Sequence, residues 1–289
     1  MPLVQTRGAA SAQGFGEFAQ PAAPALYVED VFSTYLWDGN STARNIVNGI
    51  DLATKGGMVW AKYRNATNSH RLYDTNRGAT KQIFSDLTNA EQVAAQSLTA
   101  FNTDGFSLGT GQPNENTATV VGWTFRKQAK FFDIVTWSGD STSGRQISHN
   151  LGSTPGMVVV KSLATDNWCV WHRGLTSGRY IVLNSTAAQT TAGAVNRFGN
   201  GSTTVDPTST NFTVGSNGEV NQSGNNYVAY LFAHDAGGFG TSGTDNVISC
   251  GSVVGAGNPT EVNLGYEPQF LLIKNASSAQ DWWLVDNMR

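Results

Sequence analysis

Three groups of aromatic and charged residues carry the chemistry this chain has to offer. Trp168, Trp171, His172 and Arg173 form one group, Trp282, Trp283, Asp286 and Arg289 a second, and Tyr73, Asp74 and Arg77 a third. Aromatic faces beside Asp, Asn and Arg are the equipment of a sugar site. The rings stack on the CH groups of the sugar, and the polar groups take its hydroxyls. On that reading Trp168, Trp171, His172, Arg173, Trp282 and Trp283 are the glycan-contact candidates. The same residue types also serve structure, with alternate tryptophans filling a core and Asp and Arg pairing at strand ends. Recurrence of the set in every group favours structure, because structural positions recur.

Other chemistries find less support. Glycoside hydrolysis needs two carboxylates held about 5–9 Å apart, which on a strand implies acids at alternating positions. No Glu-x-Asp-x-Glu cluster occurs, and the nearest pair, Glu29-Asp30, lies near the N-terminus. His70, His149, His172 and His234 are far apart in sequence, with no His-x-x-x-His or Cys-x-x-Cys metal spacing. No serine nucleophile elbow is expected. Gly255-Ala256-Gly257-Asn258 lacks the third glycine and the helix of a dinucleotide loop. The turns Asp38-Gly39-Asn40-Ser41 and Ser138-Gly139-Asp140-Ser141 offer oxygen ligands to calcium, but hairpin turns use the same residues for backbone reasons. The expectation is a protein that is not an enzyme and takes no cofactor or metal.

The elements that position these residues belong to a repeat. Gly57-Met58-Val59-Trp60-Ala61-Lys62 returns as Gly156-Met157-Val158-Val159-Val160-Lys161 and again as Gln269-Phe270-Leu271-Leu272-Ile273-Lys274. The lysines are 99 and 113 residues apart, which fits a whole domain per copy and not a short solenoid unit. Asp74 and Arg77 follow the first lysine at the same distances at which Asp286 and Arg289 follow the third. The reading is an N-terminal arm at 1–30, repeats at 31–129 and 130–236, a linker at 237–245, and an incomplete third repeat at 246–289.

Short runs of strand formers broken by Gly and Asn turns make each repeat an all-β sandwich or jelly roll. The apolar inner strands near Met58 and Val158 read as buried on both faces. Strands are also expected at 247–253, 262–264, 270–274 and 282–285. A short helix or a polar loop follows Thr88-Asn89-Ala90-Glu91, a capping-box pattern. Half a sandwich leaves an open apolar face and bare edges, so continuation of the chain past Arg289, or completion by another subunit, is expected.

Composition narrows the partners. Only 13% of the 289 residues are charged and 32 are glycine, so neutral polar side chains keep the surface wet. The net charge of −3 and the absence of a basic run argue against nucleic acid. No stretch reaches the length of a membrane span, and no signal peptide is read at the N-terminus. Cys169 and Cys250 are read as free thiols. The arm, rich in Ala, Gly, Gln and Pro, cannot bury enough apolar area to order itself alone. Its expected partners are neighbouring chains, with Arg7, Phe15 and Phe18 as the anchoring residues.

The segments Trp123-Thr124-Phe125-Arg126-Lys127, Lys130-Phe131-Phe132-Asp133-Ile134-Val135-Thr136-Trp137 and Val285-Asp286-Asn287-Met288-Arg289 resemble the tandem, lectin-like (concanavalin-A-like) modules of tailed-bacteriophage structural proteins, as in phages of marine bacteria and cyanobacteria. Ile147-Ser148-His149-Asn150-Leu151-Gly152 and the arm itself are similar to the same proteins. The resemblance implies a virion protein made in the host cytoplasm. It points to a homotrimeric tail fibre anchored to a tail adaptor or nozzle, whose modules reach toward host surface polysaccharide. A capsid decoration or head-fibre protein, and a carbohydrate-binding or polysaccharide-cleaving lectin-like protein, are the alternatives. The resemblance brings no catalytic residues with it.

Overall fold

The computed structural model describes residues 24–257 and 259–288; the arm residues Arg7, Phe15 and Phe18, and also Asn258 and Arg289, lie outside them. The first repeat contains β1 (Phe32–Asp38), β2 (Arg44–Val47), β3 (Gly57–Tyr63), β4 (Arg71–Asp74), β5 (Lys81–Phe84), β6 (Gln92–Val93), β7 (Leu98–Asn102), β8 (Gly105–Leu108) and β9 (Thr119–Arg126). They form a six-stranded sheet in the order β1-β9-β3-β4-β5-β6 and a three-stranded sheet β2-β8-β7. The second repeat contains β10 (Phe132–Ser138), β11 (Arg145–Ser148), β12 (Met157–Ser162), β13 (Trp168–His172), β14 (Ile181–Val182), β15 (Asn211–Val214), a one-turn helix α1 (Gly218–Asn221) and β16 (Asn226–Phe232). Its sheets are β10-β16-β12-β13-β14 and β11-β15. The third repeat supplies one hairpin, β17 (Phe270–Lys274) with β18 (Trp282–Asp286). The fold is all-β, with every named pairing antiparallel.

Alternation along the inner strands divides two cores. In the first repeat Val59, Ala61, Tyr73 and Val120 point inward against the β2-β8-β7 sheet, packing on Ile46, Leu98 and Phe106. In the second, Val158, Val160, Cys169 and Ala229 do the same against Ile147, Phe212 and Val214. The opposite faces of both large sheets do not meet water. Met58, Trp60, Trp123 and Phe125 of the first repeat meet Phe132, Val159, Trp168, Tyr230 and Phe232 of the second, and Phe270, Leu272, Trp282 and Leu284 of the third pack on the same cluster. This shared core explains why β3 and β12 carry unbroken apolar runs: each is covered on both sides. The repeats are therefore interlocked around one core and are not beads on a string.

One expectation needs correction. Residues 247–253 and 262–264 are irregular, not strands. By repeat position they match β10 and β11, whose sheet partners are β16 and β15. The described residues contain no third-repeat counterpart of those partners, so a strand there has no ladder to join. After Thr88 the chain takes the loop and not the helix: the Glu91 N–H donates to Leu163 O at 2.9 Å, and Thr88 O accepts from the Asp166 N–H at 2.8 Å. Those bonds to the second repeat use the groups that a helical turn would need. Residues 24–30, the end of the arm, also touch their own chain, with Leu26 in a β-bridge to Gly240 and a 3-10 turn at Val28–Asp30.

The two oxygen-rich turns have a structural purpose. Gly39 and Gly139 each run so close to a neighbouring carbonyl that a Cβ would stand 2.0 Å from Glu115 O or 2.1 Å from Gln222 O. Buried Asn114 and Asn221 then clamp the turns. The Asn114 amide donates to Thr42 O at 2.8 Å, and the Asn221 amide to Asp140 Oδ1 at 2.8 Å and Thr142 O at 2.9 Å. The oxygens that a cation would claim are facing amide N–H groups.

Candidate functional site

The three repeat lysines do one job. Lys161 is fully buried and its Nζ donates to Ser162 O and Ala164 O, closing its own hairpin loop, and to Thr88 O of the first repeat at 3.3 Å. Lys274 donates to Asn275 O and Gln280 O of its own loop and to Thr186 O of the second repeat at 2.9 Å. Lys62 donates to Ala66 O and Asn68 O. Burial pushes the Lys161 ammonium down to about 8. An ammonium with its donors spent on carbonyls is a loop clamp.

The aromatic positions follow the same rule. The Trp168 indole N–H donates to Phe84 O at 2.8 Å and Leu87 O at 3.2 Å in the first repeat. Trp282 repeats the contact one step on, donating to Val182 O of the second repeat at 3.1 Å. The backbone pairs recur too: Glu91 to Leu163 and Asp166 to Thr88 between the first two repeats, Gln189 to Ala276 and Gln280 to Thr186 between the second and third.

Strand register sets a further equivalence. Asp74 faces Met58, His172 faces Met157 and Asp286 faces Phe270, so these three residues hold one repeat position. Asp74 accepts from the Tyr230 hydroxyl of the second repeat at 2.7 Å. Asp286 accepts from the Trp123 indole of the first repeat at 3.2 Å. Tyr230 and Trp123 are themselves equivalent, opposite Val159 and Trp60. The first repeat thus reaches the second, and the third reaches the first, through the same pair of positions. Together with the contacts of Trp168 and Trp282, these bonds close a ring of three repeats with quasi-threefold character.

Inside that ring Asp74 and Arg77 form a buried ion pair, and Arg77 also binds Glu91 Oε2 at 3.1 Å and Leu72 O at 3.0 Å. Burial opposes the Arg77 charge, but the facing Tyr230, Asp74 and Glu91 overrule it and raise its pKa. Burial drives the Tyr230 phenol far up. A second network holds Glu219 between Arg197, Asn167 at 2.9 Å and the Cys169 thiol at 3.1 Å. Both cysteines are free and buried, and burial raises both thiols.

The glycan candidates separate on this geometry. Trp168 is fully buried and cannot stack on a sugar; it is a core strut. Trp282 is half-buried against the second repeat. His172 lies on the shared-core face of β13, its Nδ1 accepting from the Gly174 N–H at 3.0 Å. Arg173 Nη1 contacts His234 Nε2, and the Cys250 backbone N lies 3.2 Å from Nδ1 of the same ring, in a lock between the second repeat and the chain that follows it. Trp171 is half-buried, with its N–H on Asp206 Oδ1 at 3.3 Å, and Trp283 is 65% exposed. Those two rings stand on sheets of different repeats. Sequence reasoning overlooked one motif: Gly105-Phe106-Ser107-Leu108-Gly109 has Gly-x-Ser-x-Gly spacing. Ser107 sits within strand β8, its hydroxyl donating to Asn45 Oδ1 at 2.8 Å, so it is not on a strand-to-helix elbow.

A family model described as a domain of unknown function, DUF7483, matches residues 28–289. The chain belongs to that family. No curated protein matches it, and no solved structure does. The matched span takes in all three repeats, so the ring contacts lie within the family's own domain.

One polar concavity lies beside the Arg77 network. It is an open groove of about 430 Å³ between the first two repeats, lined by Asn76, Lys81, Glu91, Thr136, Ser138 and Asn226 among others. Its walls offer donors and acceptors suited to hydroxyl groups. No helix of the described residues is long and apolar enough to cross a membrane.

His172 gives the ring a pH dependence. Burial first, then Arg173 and His234, hold its imidazole down at about 4, against an ordinary value of 6.5. Between these values the unfolded chain binds a proton that the folded chain does not, so stability falls as pH drops from 6.5 toward 4. The expected loss is about 3 kcal/mol. Urea unfolding midpoints at pH 7 and pH 4.5 should differ accordingly, and His172→Asn should shrink the difference. An unchanged difference in the variant would remove His172 from the account.

Proposed function

We propose that this chain is a structural protein of a tailed-bacteriophage particle. Its place would be a tail fibre, with residues 1–30 as the anchor and the β-sandwich repeats directed toward host surface glycans. The supporting observation is the interlocked ring. Lys161, Lys274, Asp74, Asp286, Trp168 and Trp282 join one repeat to another. Residues that recur in order to join repeats build a stiff block, which is what a particle appendage needs. The low charge content and neutral polar surface fit a protein exposed outside the cell. The proposed partners are tail adaptor or nozzle proteins, reached through Arg7, Phe15 and Phe18, and host polysaccharide. The quasi-threefold ring already forms within one chain, so the homotrimer belongs to this proposal as an arrangement made through the arm.

The test is immunogold labelling of particles encoded by the same genome, using antibody against residues 31–289. Gold on the tail supports the fibre. Gold on the shell favours a capsid decoration protein that uses the same arm, and particles without gold end the virion reading. Glycan contact has its own observation in the half-exposed Trp171 ring bonded to Asp206. Titration of the chain with host surface polysaccharide should give binding that Trp171→Ala weakens about tenfold. Equal binding by both proteins would exclude that ring.

A further inference from the structure

The third repeat presents the inner hairpin of a sandwich with one edge and one face unfilled. β3 is paired on both edges, by β4 and β9, and β12 likewise by β13 and β16. Among the described residues β17 is paired by β18 alone. The faces tell the same story. By register Ile273 stands where Ala61 and Val160 stand, Trp283 where Arg71 and Cys169 stand, and Val285 where Tyr73 and Trp171 stand. Ala61, Val160, Arg71, Cys169 and Tyr73 are buried, covered in their repeats by β2-β8-β7 or β11-β15. In the third repeat Ile273 is 51%, Trp283 65% and Val285 45% exposed. The large Trp283 surface is therefore an uncovered sandwich interior, and it needs no sugar to explain it. Such an unpaired apolar edge invites strand addition.

We infer that the free edge of β17, with the Ile273, Trp283 and Val285 face beside it, is a strand-acceptor site for a segment of the repeat's own closing type. The occupant is a strand like β15, covering that face, joined to a strand like β16, antiparallel to β17. It is neither a glycan nor the β17 edge of a second chain. The two filled repeats specify its chemistry. Opposite Phe270 belongs an aromatic, as Phe125 stands opposite Met58 and Phe232 opposite Met157. Opposite Leu272 belongs the counterpart of Trp123 and Tyr230, which donate to Asp286 and Asp74 across the ring.

For the third repeat the ring partner at that position is His172. Its Nδ1 already accepts from the Gly174 N–H, so in the neutral ring Nε2 carries the proton and donates. The occupant must therefore present an acceptor there. A tyrosine oxygen meets that need and a tryptophan N–H does not. This site follows from repeat geometry and is independent of the particle assignment.

The experiment uses the whole chain and two fluorescein-labelled peptides, residues 211–232, which carry Tyr230, and residues 105–126, which carry Trp123. Fluorescence anisotropy should show saturable binding of the first, at least about tenfold tighter than of the second. Ile273→Lys should weaken binding about tenfold or more, because its charge would be buried under the added strand. Val93→Lys, at another exposed valine, should not. Hydrogen exchange should slow in the β17 amides when peptide is bound. Three results would overturn the inference: no saturable binding of residues 211–232, binding indifferent to Ile273→Lys, or a chain that dimerises through β17 and excludes the peptide.

Discussion

Arg77→Met is expected to destabilise the fold by about 3–5 kcal/mol, the cost of leaving a buried carboxylate without its cation. Asp74 has no exposure, and its charge is balanced by the Arg77 guanidinium while the Tyr230 hydroxyl binds the same oxygen. Methionine keeps much of the volume and removes the charge. Asp74 then keeps the phenol and the Arg77 backbone N–H, which do not neutralise it. The effect should centre on the contact between the first two repeats, because Tyr230 belongs to the second. Urea unfolding gives the number. A companion Asp74→Asn change removes the orphaned charge while leaving an oxygen for Tyr230, so the double variant should recover at least half of the loss. A loss below about 1 kcal/mol in Arg77→Met would mean that water reaches Asp74 and that the network is not a buried strut.

How much of this was legible in the chain depends on where each signal came from. The repeat, the all-β class and the buried inner strands follow from local patterns, because alternation and apolar runs are written residue by residue. The hairpin β17-β18 was legible for the same reason. Residues 247–253 and 262–264 have strand-forming sequence, but a strand is a property of a pair, and their counterparts in the filled repeats pair only with closing strands. After Thr88 the loop wins over the helix because the second repeat claims the Thr88 C=O and the Glu91 N–H, and no local pattern records that. The glycan candidates divide in a way that only the fold reveals. Trp168 carries the same residue type as the exposed rings and is buried. Trp283 is open for a reason visible only once register equates it with Arg71 and Cys169. Asn114, Asn221, Tyr230 and Glu219, each central to a buried network, carried no local signal because the partners of three lie in the opposite half of their repeat and that of Tyr230 lies in another repeat.

The tryptophans rank by the same logic, and the ranking is the sharpest test of the ring. Trp168 stacks near-parallel to Tyr230 at 6.3 Å and sends its N–H to two carbonyls of the first repeat. Trp168→Ala leaves a large cavity in the shared core and frees Phe84 O and Leu87 O, for an expected loss of about 3–5 kcal/mol. Trp282, half-buried with one such bond, should cost about 1–2 kcal/mol as alanine. Trp171, half-buried at the rim of the second repeat's own core and bonded to exposed Asp206, should cost about 1–2 kcal/mol. Trp168→Phe separates the two terms of the largest effect. It refills most of the volume but cannot donate, so any loss that remains measures the cross-repeat hydrogen bonds. Unfolding midpoints of the four variants at one pH decide the matter. If Trp168→Ala cost no more than Trp171→Ala, the first two repeats would not depend on the shared core, and the ring would reduce to sandwiches that merely touch.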